Sequence, residues 1–308
     1  MEELNNICLS LEHDQKEYRS ISPEIVQTSS FQFKNFQHYV DVNANNEKSY
    51  TYTRGDNPTL EVLETKLASL EKGECARVYA SGMGAISATI MSLVNHGDHV
   101  LIVNTVYGSS VKFIQSLSRF LIESTRIDVN STQEIFDHVQ ENTKMIYFES
   151  PSSQKFEMLD LEMISCFARE RNILTVIDNT WATPLFQNPI VHGIDIVIHS
   201  CSKYIGGHSD LVGGVVITNK DLMKKIDDFG QILLGATMSP VNAWLAIRGL
   251  RTLPVRMKAQ EQSVKQVIKL LENDPRILKV YHPLSHTAIE LREKYLKGYG
   301  SLLGFVLK

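Results

Sequence analysis

The sharpest chemical signal in the 308-residue chain is Lys203, which follows Ser200-Cys201-Ser202 at the end of the apolar run IDIVIH and precedes Tyr204-Ile205-Gly206-Gly207-His208. An amine held at a strand end and partly withdrawn from water has a depressed pKa and becomes a nucleophile for carbonyl carbon. The competing reading is a solvated surface lysine, but the small residues and glycines around it imply a backbone that approaches something closely. Asp178 ends the run ILTVID. Asp-Asn-Thr suits a turn or helix cap. Taken with Lys203, the carboxylate also suits the edge of a pyridinium ring, the device that keeps pyridoxal 5′-phosphate (PLP) an electron sink.

Three further groups follow apolar runs. Ser81-Gly82-Met83-Gly84 precedes the helical pattern AISATIMSLV, so free N–H groups and the positive helix end there would cradle a phosphate. The alternative is a dinucleotide site, which Gly82-x-Gly84-x-x-Ser87 matches poorly at its third small position. Tyr107 could stack on a flat ring or fill a buried turn, and Glu149, in Glu-Ser-Pro, is either adjacent to the site or the start of a turn. In Tyr50-Thr51-Tyr52-Thr53-Arg54 an extended chain points Tyr52 and Arg54 the same way. They are either a half-buried strand with a solvated arginine or a pair that reaches a phosphate in a neighbouring subunit.

The elements that position these residues read as an alternation of short β-rich runs and longer helical patterns: ARVYAS, HVLIVNTVY, MIYFES, ILTVIDN, IDIVIHS and LVGGVVIT. That pattern predicts an α/β domain with a mostly parallel central sheet covered by helices on both faces. LEVLETKLASLEKG predicts a helix stopped near Gly73. Residues 1–50 read as an extended polar arm, 51–250 as the large domain, and 251–308 as the start of a smaller α+β domain, with Pro254 bending a helix near the boundary and SLLGFVLK as a strand. A net charge of −4 with interspersed signs offers no field for nucleic acid, and the sequence has no apolar run of membrane-spanning length. The acidic, polar N-terminus lacks the form of a secretory signal. A cytoplasmic location is the expectation. Cys8, Cys75, Cys166 and Cys201 form no C-x-x-C pair and read as reduced thiols; His282 and His286 read as a solvated pair, with no metal site expected.

Together YTYTRGDNPT, SGMGAI, GDHVLIVNTVYG, ESP, IDNTWATP, IDIVIHSCSKYIGGHSD and RGLRTLPVR resemble the Cys/Met-metabolism PLP-dependent enzymes, with Ser202 where Thr is usual. The resemblance implies a fold-type-I PLP-dependent transferase architecture with Lys203 as the Schiff-base lysine and Asp178 on the ring nitrogen. It further implies Tyr107 stacked on the ring, and Gly82, Met83, Ser200 and Ser202 on the phosphate. Tyr52 and Arg54 would reach the phosphate of a partner subunit in a homo-oligomer, typically a dimer of dimers. Tyr107 and Tyr52 are its candidate acid/base groups beside Lys203. Ser153, where many relatives have Asn, lies with Glu149 next to the substrate. It and Asp178-Asn179-Thr180-Trp181 favour a cystathionine β-lyase-like activity; Ala182-Thr183-Pro184 and Ser81-Gly82-Met83 favour γ-synthase or γ-lyase chemistry. The family's later segment, with its carboxylate-binding arginine, has no counterpart before Lys308, so an incomplete second domain and a PLP-binding protein without turnover are also carried as expectations.

Overall fold

The structure is a computed structural model that describes residues 1–10, 20–44, 46–286 and 289–308. Helices α1 (Glu2–Leu9) and α2 (Phe36–Asn43) precede α3 (Pro58–Glu71). The main body continues as β1 (Cys75–Tyr79), α4 (Gly82–Leu93), β2 (His99–Val103), α5 (Gly108–Ser116), β3 (Glu123–Ile127) and β4 (Thr143–Phe148). Then come α6 (Leu161–Glu170), β5 (Leu174–Asp178), α7 (Thr183–Phe186), β6 (Ile196–Ser200), β7 (Gly214–Thr218) and α8 (Lys220–Ile226). The chain ends with α9 (Pro240–Glu272), β8 (Ile277–Tyr281), α10 (Pro283–His286), α11 (Ile289–Tyr295) and β9 (Gly304–Leu307).

Seven strands form one sheet in the order β1-β7-β6-β5-β4-β2-β3, in which β7 alone runs against the rest. The pleat divides each strand between two cores. Val176, Ile196, Ile198, Met145 and Tyr147 pack beneath α4, α5 and α8, whereas Ile177, Val197, Ile146 and Phe148 pack beneath α3, α6 and α9. Burial on both faces explains the near-continuous apolar runs. All six parallel strands therefore end on one edge, and strand addition reverses between β2 and β4, opening a crevice there.

Several local expectations change. The described residues of 1–50 include two helices: α1 buries Leu4 and Cys8 against α3 and α9, and Lys66 Nζ donates to the carbonyls of Ile7 (3.2 Å) and Ser10 (2.9 Å) at its C-terminal end. The following segment is strapped down by Trp244 Nε1 donating to Pro23 O (3.1 Å) and by Val26 N donating to Thr59 Oγ1 (2.9 Å). The left-handed residue ending α3 is Lys72 (φ 60°), while Gly73 is needed for close approach: a Cβ there would lie 2.3 Å from Ile217 Cγ2. Helix α9 continues through Pro254, so the boundary expected near residue 250 falls inside it. β8 and β9 pair antiparallel as a separate small sheet. His282 is buried, with Nε2 3.2 Å from Gly300 O, among the rings of Trp181, Phe156 and Tyr299; it is no solvated residue, and the His286 side chain lies outside the described residues. Among the described residues no helix is long and apolar enough to cross a membrane.

Candidate active site

The edge of the sheet gathers the sequence-selected groups. Because Val176 and Ile198 lie on the α4 face, two residues further along the pleat Asp178 and Ser200 share that face, as does Glu149 two residues after Tyr147. Thr180 ties the two strand ends together: its N–H donates to Asp178 Oδ1 (3.0 Å) and its Oγ1 accepts from Ser200 N (2.8 Å). Helix α4 points its N-terminus at the same place. Ser81 caps Gly84 N (2.9 Å), leaving the N–H groups of Gly82 and Met83 without partners among the described residues. A Cβ on Gly82 would lie 3.2 Å from Ser200 Cβ, and one on Gly214 would lie 2.4 Å from Ser81 O. Glycine at both positions keeps a cradle of two amides and the Ser200 hydroxyl open.

Lys203 sits in a short helical turn, Cys201–Ile205, where its own backbone leaves helical geometry (φ −94°, ψ −113°) and its side chain is exposed. The glycines flanking it approach α9 rather than a ligand. A Cβ on Gly249 would lie 2.3 Å from Ile205 O, and one on Gly207 (φ +74°) would lie 2.2 Å from Arg256 Cζ. Arg256 donates to Tyr204 O (2.8 Å) and Gly249 O (2.9 Å), clamping the turn. Ser202 Oγ accepts from Gly213 N (3.0 Å), which fixes the loop and engages a hydroxyl expected to face phosphate.

Glu149 is buried, with Oε1 accepting from Tyr107 N (2.6 Å) and Oε2 from Ser153 Oγ (2.5 Å), so it bridges the crevice between β4 and β2 and holds Tyr107 at the start of α5. The Tyr107 ring is 53% exposed, which removes the buried-turn reading. Burial, then the Asp178 charge, pushes the Glu149 carboxyl up to about 8 despite those donors. Asp178 is raised too, by burial first, while Thr180, His199 and Lys203 pull it down. Neither carboxylate has an ion-pair partner among the described residues. Tyr52 and Arg54 are exposed, the guanidinium 5.4 Å from the Tyr52 ring centroid, and the Arg54 carbonyl accepts from Gln231 Nε2 (3.1 Å). Thr180, Arg256 and Gly249 were missed as positioning residues; only the contacts reveal them.

The edge differs from two cavities elsewhere, one of about 550 Å³ along α1 and one of about 300 Å³ between Lys144, Arg169 and Asp195 on the opposite side of the sheet. Neither brings an amine, carboxylates and free amides together. PLP fits the edge by its chemistry: a dianionic phosphate for the two free amides, an aldehyde for the amine, and a protonatable ring nitrogen for a carboxylate that lacks a countercharge.

The comparisons agree. A family model described as Cys/Met metabolism PLP-dependent enzyme matches residues 6–308. The chain is 39% identical to an L-methionine γ-lyase of Fusobacterium nucleatum subsp. polymorphum over 94% of its length and 75% of that protein. It is 37% identical to a cystathionine β-lyase of Lactococcus lactis subsp. cremoris over 94% and 74%. A Campylobacter jejuni chain named as a candidate O-acetylhomoserine (thiol)-lyase, solved with a pyridoxyl-lysine phosphate, superposes with a TM-score of 0.92 at 31% identity, covering 99% of this chain and 85% of that one.

Proposed function

This chain belongs to the Cys/Met metabolism PLP-dependent enzymes, fold-type-I lyases of transsulfuration, and on that premise we propose that it cleaves the β-carbon–sulfur bond of cystathionine or a close relative, releasing pyruvate and ammonia. When bound, PLP supplies an electron sink for carbanion character at the substrate Cα. The residues at the sheet edge divide the remaining work. Gly82 and Met83 would offer amide N–H groups and Ser200 its hydroxyl to the phosphate, and Ser202 would join them by turning its hydroxyl from the Gly213 carbonyl. Asp178 holds a proton on the ring nitrogen, and Tyr107 covers the ring. Lys203 would hold the cofactor covalently and, with its amine free, would take the Cα proton. Tyr107 and Tyr52 would protonate the leaving sulfur, and the Glu149–Ser153 contact would border the substrate. The exposure of Tyr52 and Arg54 supports their reaching the site of a second copy in a homo-oligomer. A cytoplasmic location accords with soluble amino-acid substrates.

The observation that carries this reading is the convergence of Asp178, Ser200 and the uncapped amides of α4 on one strand edge with Lys203 in the next turn. A second reading, γ-elimination, is favoured by methionine γ-lyase and cystathionine γ-lyase relatives at 39% identity. Incubation with cystathionine separates the two. Pyruvate with homocysteine supports the first, 2-oxobutanoate with cysteine supports the second, and no oxo acid from either cystathionine or methionine rejects both. Lys203→Ala should lower turnover by on the order of 10²–10⁴-fold; unchanged turnover in that variant ends the assignment.

A further inference from the structure

Immediately behind the site, on the α3 face of the sheet, lies a buried polar network that the chemistry above does not use. Glu71, the last residue of α3, is fully buried and accepts through Oε1 from His199 Nε2 (2.6 Å) and Asn179 Nδ2 (2.8 Å). Asn179 Nδ2 also donates to Gln187 O (3.0 Å), and Gln187 Nε2 donates to Asn179 Oδ1 (3.1 Å) and to Ser150 O (2.7 Å). Ser150, Asn179, Gln187 and His199 are each at most 2% exposed.

The placement follows the pleat. His199 precedes Ser200, Asn179 follows Asp178, and Ser150 follows Glu149. At each of three strand ends the residue facing the site is thus paired with a neighbour that faces the network, because successive side chains point to opposite faces. A shift of any network member by a fraction of an ångström moves its neighbour across the sheet by a similar amount. Taking a carboxylate and an imidazole this far from water costs several kcal/mol, and well-packed apolar residues would hold α3 on the sheet at least as well. Hydrogen-bonded groups instead fix angle and register.

We propose that Glu71 and His199 are positioning residues, a buried pair that sets Asp178 and Ser200, through their chain neighbours, at the geometry the bound cofactor needs. The inference rests on the assignment of Asp178 and Ser200 to PLP made above. One contact reinforces it: Thr180 couples the ends of β5 and β6 on the site side, so the network needs to fix only one end to fix both.

The test uses purified holoenzyme and compares His199→Leu, which removes the donor, with His199→Gln, which retains an N–H, and with the near-isosteric Glu71→Gln. Three quantities are read: the PLP dissociation constant by absorbance titration, the visible circular dichroism of the bound cofactor, and kcat against KM. His199→Leu should weaken PLP binding by about tenfold or more, change the visible dichroism and lower kcat with little change in KM, and His199→Gln should recover most of each. If the leucine variant fails to fold, Glu71→Gln decides, with weaker PLP binding and altered dichroism expected. Wild-type affinity and dichroism in a folded His199→Leu or Glu71→Gln protein overturn the proposal. A wild-type chain that takes up no PLP, or a Lys203→Ala chain that keeps a reducible covalent link, instead overturns the assignment on which it rests.

Discussion

Two clusters of carboxylates, each with a buried glutamate, sit on the same sheet, and they are balanced in different ways. Near the start of β1, Arg77 forms a bidentate pair with Asp227 (2.9 and 2.7 Å) and reaches Asp56 (3.3 Å) and Glu64 (3.4 Å). Burial opposes the guanidinium charge, but Glu64 and Asp227 more than offset it and hold Arg77 protonated. At the site edge, Glu149 and Asp178 have backbone and hydroxyl donors but no arginine; burial raises both, and the Asp178 charge raises Glu149 further. The first cluster holds its own cation and joins α3, β1 and the turn after α8. The second leaves negative charge for a cation that arrives with a ligand. Partner count does not separate structure from function here; the missing countercharge does.

The largest expected contrast comes from removing the internal cation. Arg77→Met should destabilise the chain by about 3 kcal/mol near neutral pH, because buried Glu64 and half-buried Asp227 lose their cation, while the PLP affinity of the folded fraction stays unchanged. Urea denaturation followed by fluorescence measures the loss. Burial raises Glu64 to about 7. An acid whose folded pKa is raised stabilises the fold most below its unfolded value near 4.5, and that contribution fades as pH rises towards 7. The Arg77→Met penalty should therefore be smallest near pH 4.5 and grow as pH climbs. A penalty independent of pH, or a matching loss of PLP affinity, would erase the distinction between the clusters.

Asp178→Asn should do the opposite. It removes a charge that has no internal partner, so the stability of the apo chain should hold or rise, whereas PLP binding should weaken by about 1.5–3 kcal/mol, the worth of a hydrogen bond to a charged group. Titration of apo protein with PLP measures the loss, and equal affinity in the variant would mean that the carboxylate does not face the ring.

Legibility in the sequence follows the same division. Lys203, Asp178, Glu149, Tyr107 and the Ser81 to Gly84 turn are visible because each ends or follows an apolar run, and in an α/β sheet a run of apolar residues locates the edge as well as the strand. β3, Glu123–Ile127, was not visible: as an edge strand reading ESTRI it buries only Ile127 and offers no apolar alternation. Helix α1 was missed because it buries only Leu4 and Cys8 in an otherwise polar stretch. The positioning contacts were beyond reach for another reason. His199 and Glu71 are 128 residues apart and Arg256 meets Tyr204 across 52, so no local pattern records them. Gly206 and Gly207 mark close approach, but what approaches is Leu211 and the Cys201 carbonyl at the first and Arg256 of α9 at the second.

The smallest effect is the most specific to the uncompensated cluster. Ser153 donates to Glu149 Oε2 and pulls its pKa down against burial. Ser153→Ala should cost the apo chain about 0.5–1.5 kcal/mol at pH 8 and less at pH 5, where Glu149 is neutral. With its folded pKa near 8, Glu149 stabilises the apo chain most below about 4.5, and the contribution is lost as pH rises to 8. Loss of the serine donor raises the folded value further, so the falling limb of stability should extend to higher pH in the variant. With the ring nitrogen facing Asp178 as proposed, bound PLP should lower the pKa of both carboxyls and flatten that limb in wild type and variant alike. Thermal melts of apo and holo protein between pH 5 and 9 measure the slope. A slope that PLP leaves untouched would place the ligand's positive charge away from Glu149 and Asp178, and the contrast between the two clusters would then lie in burial alone.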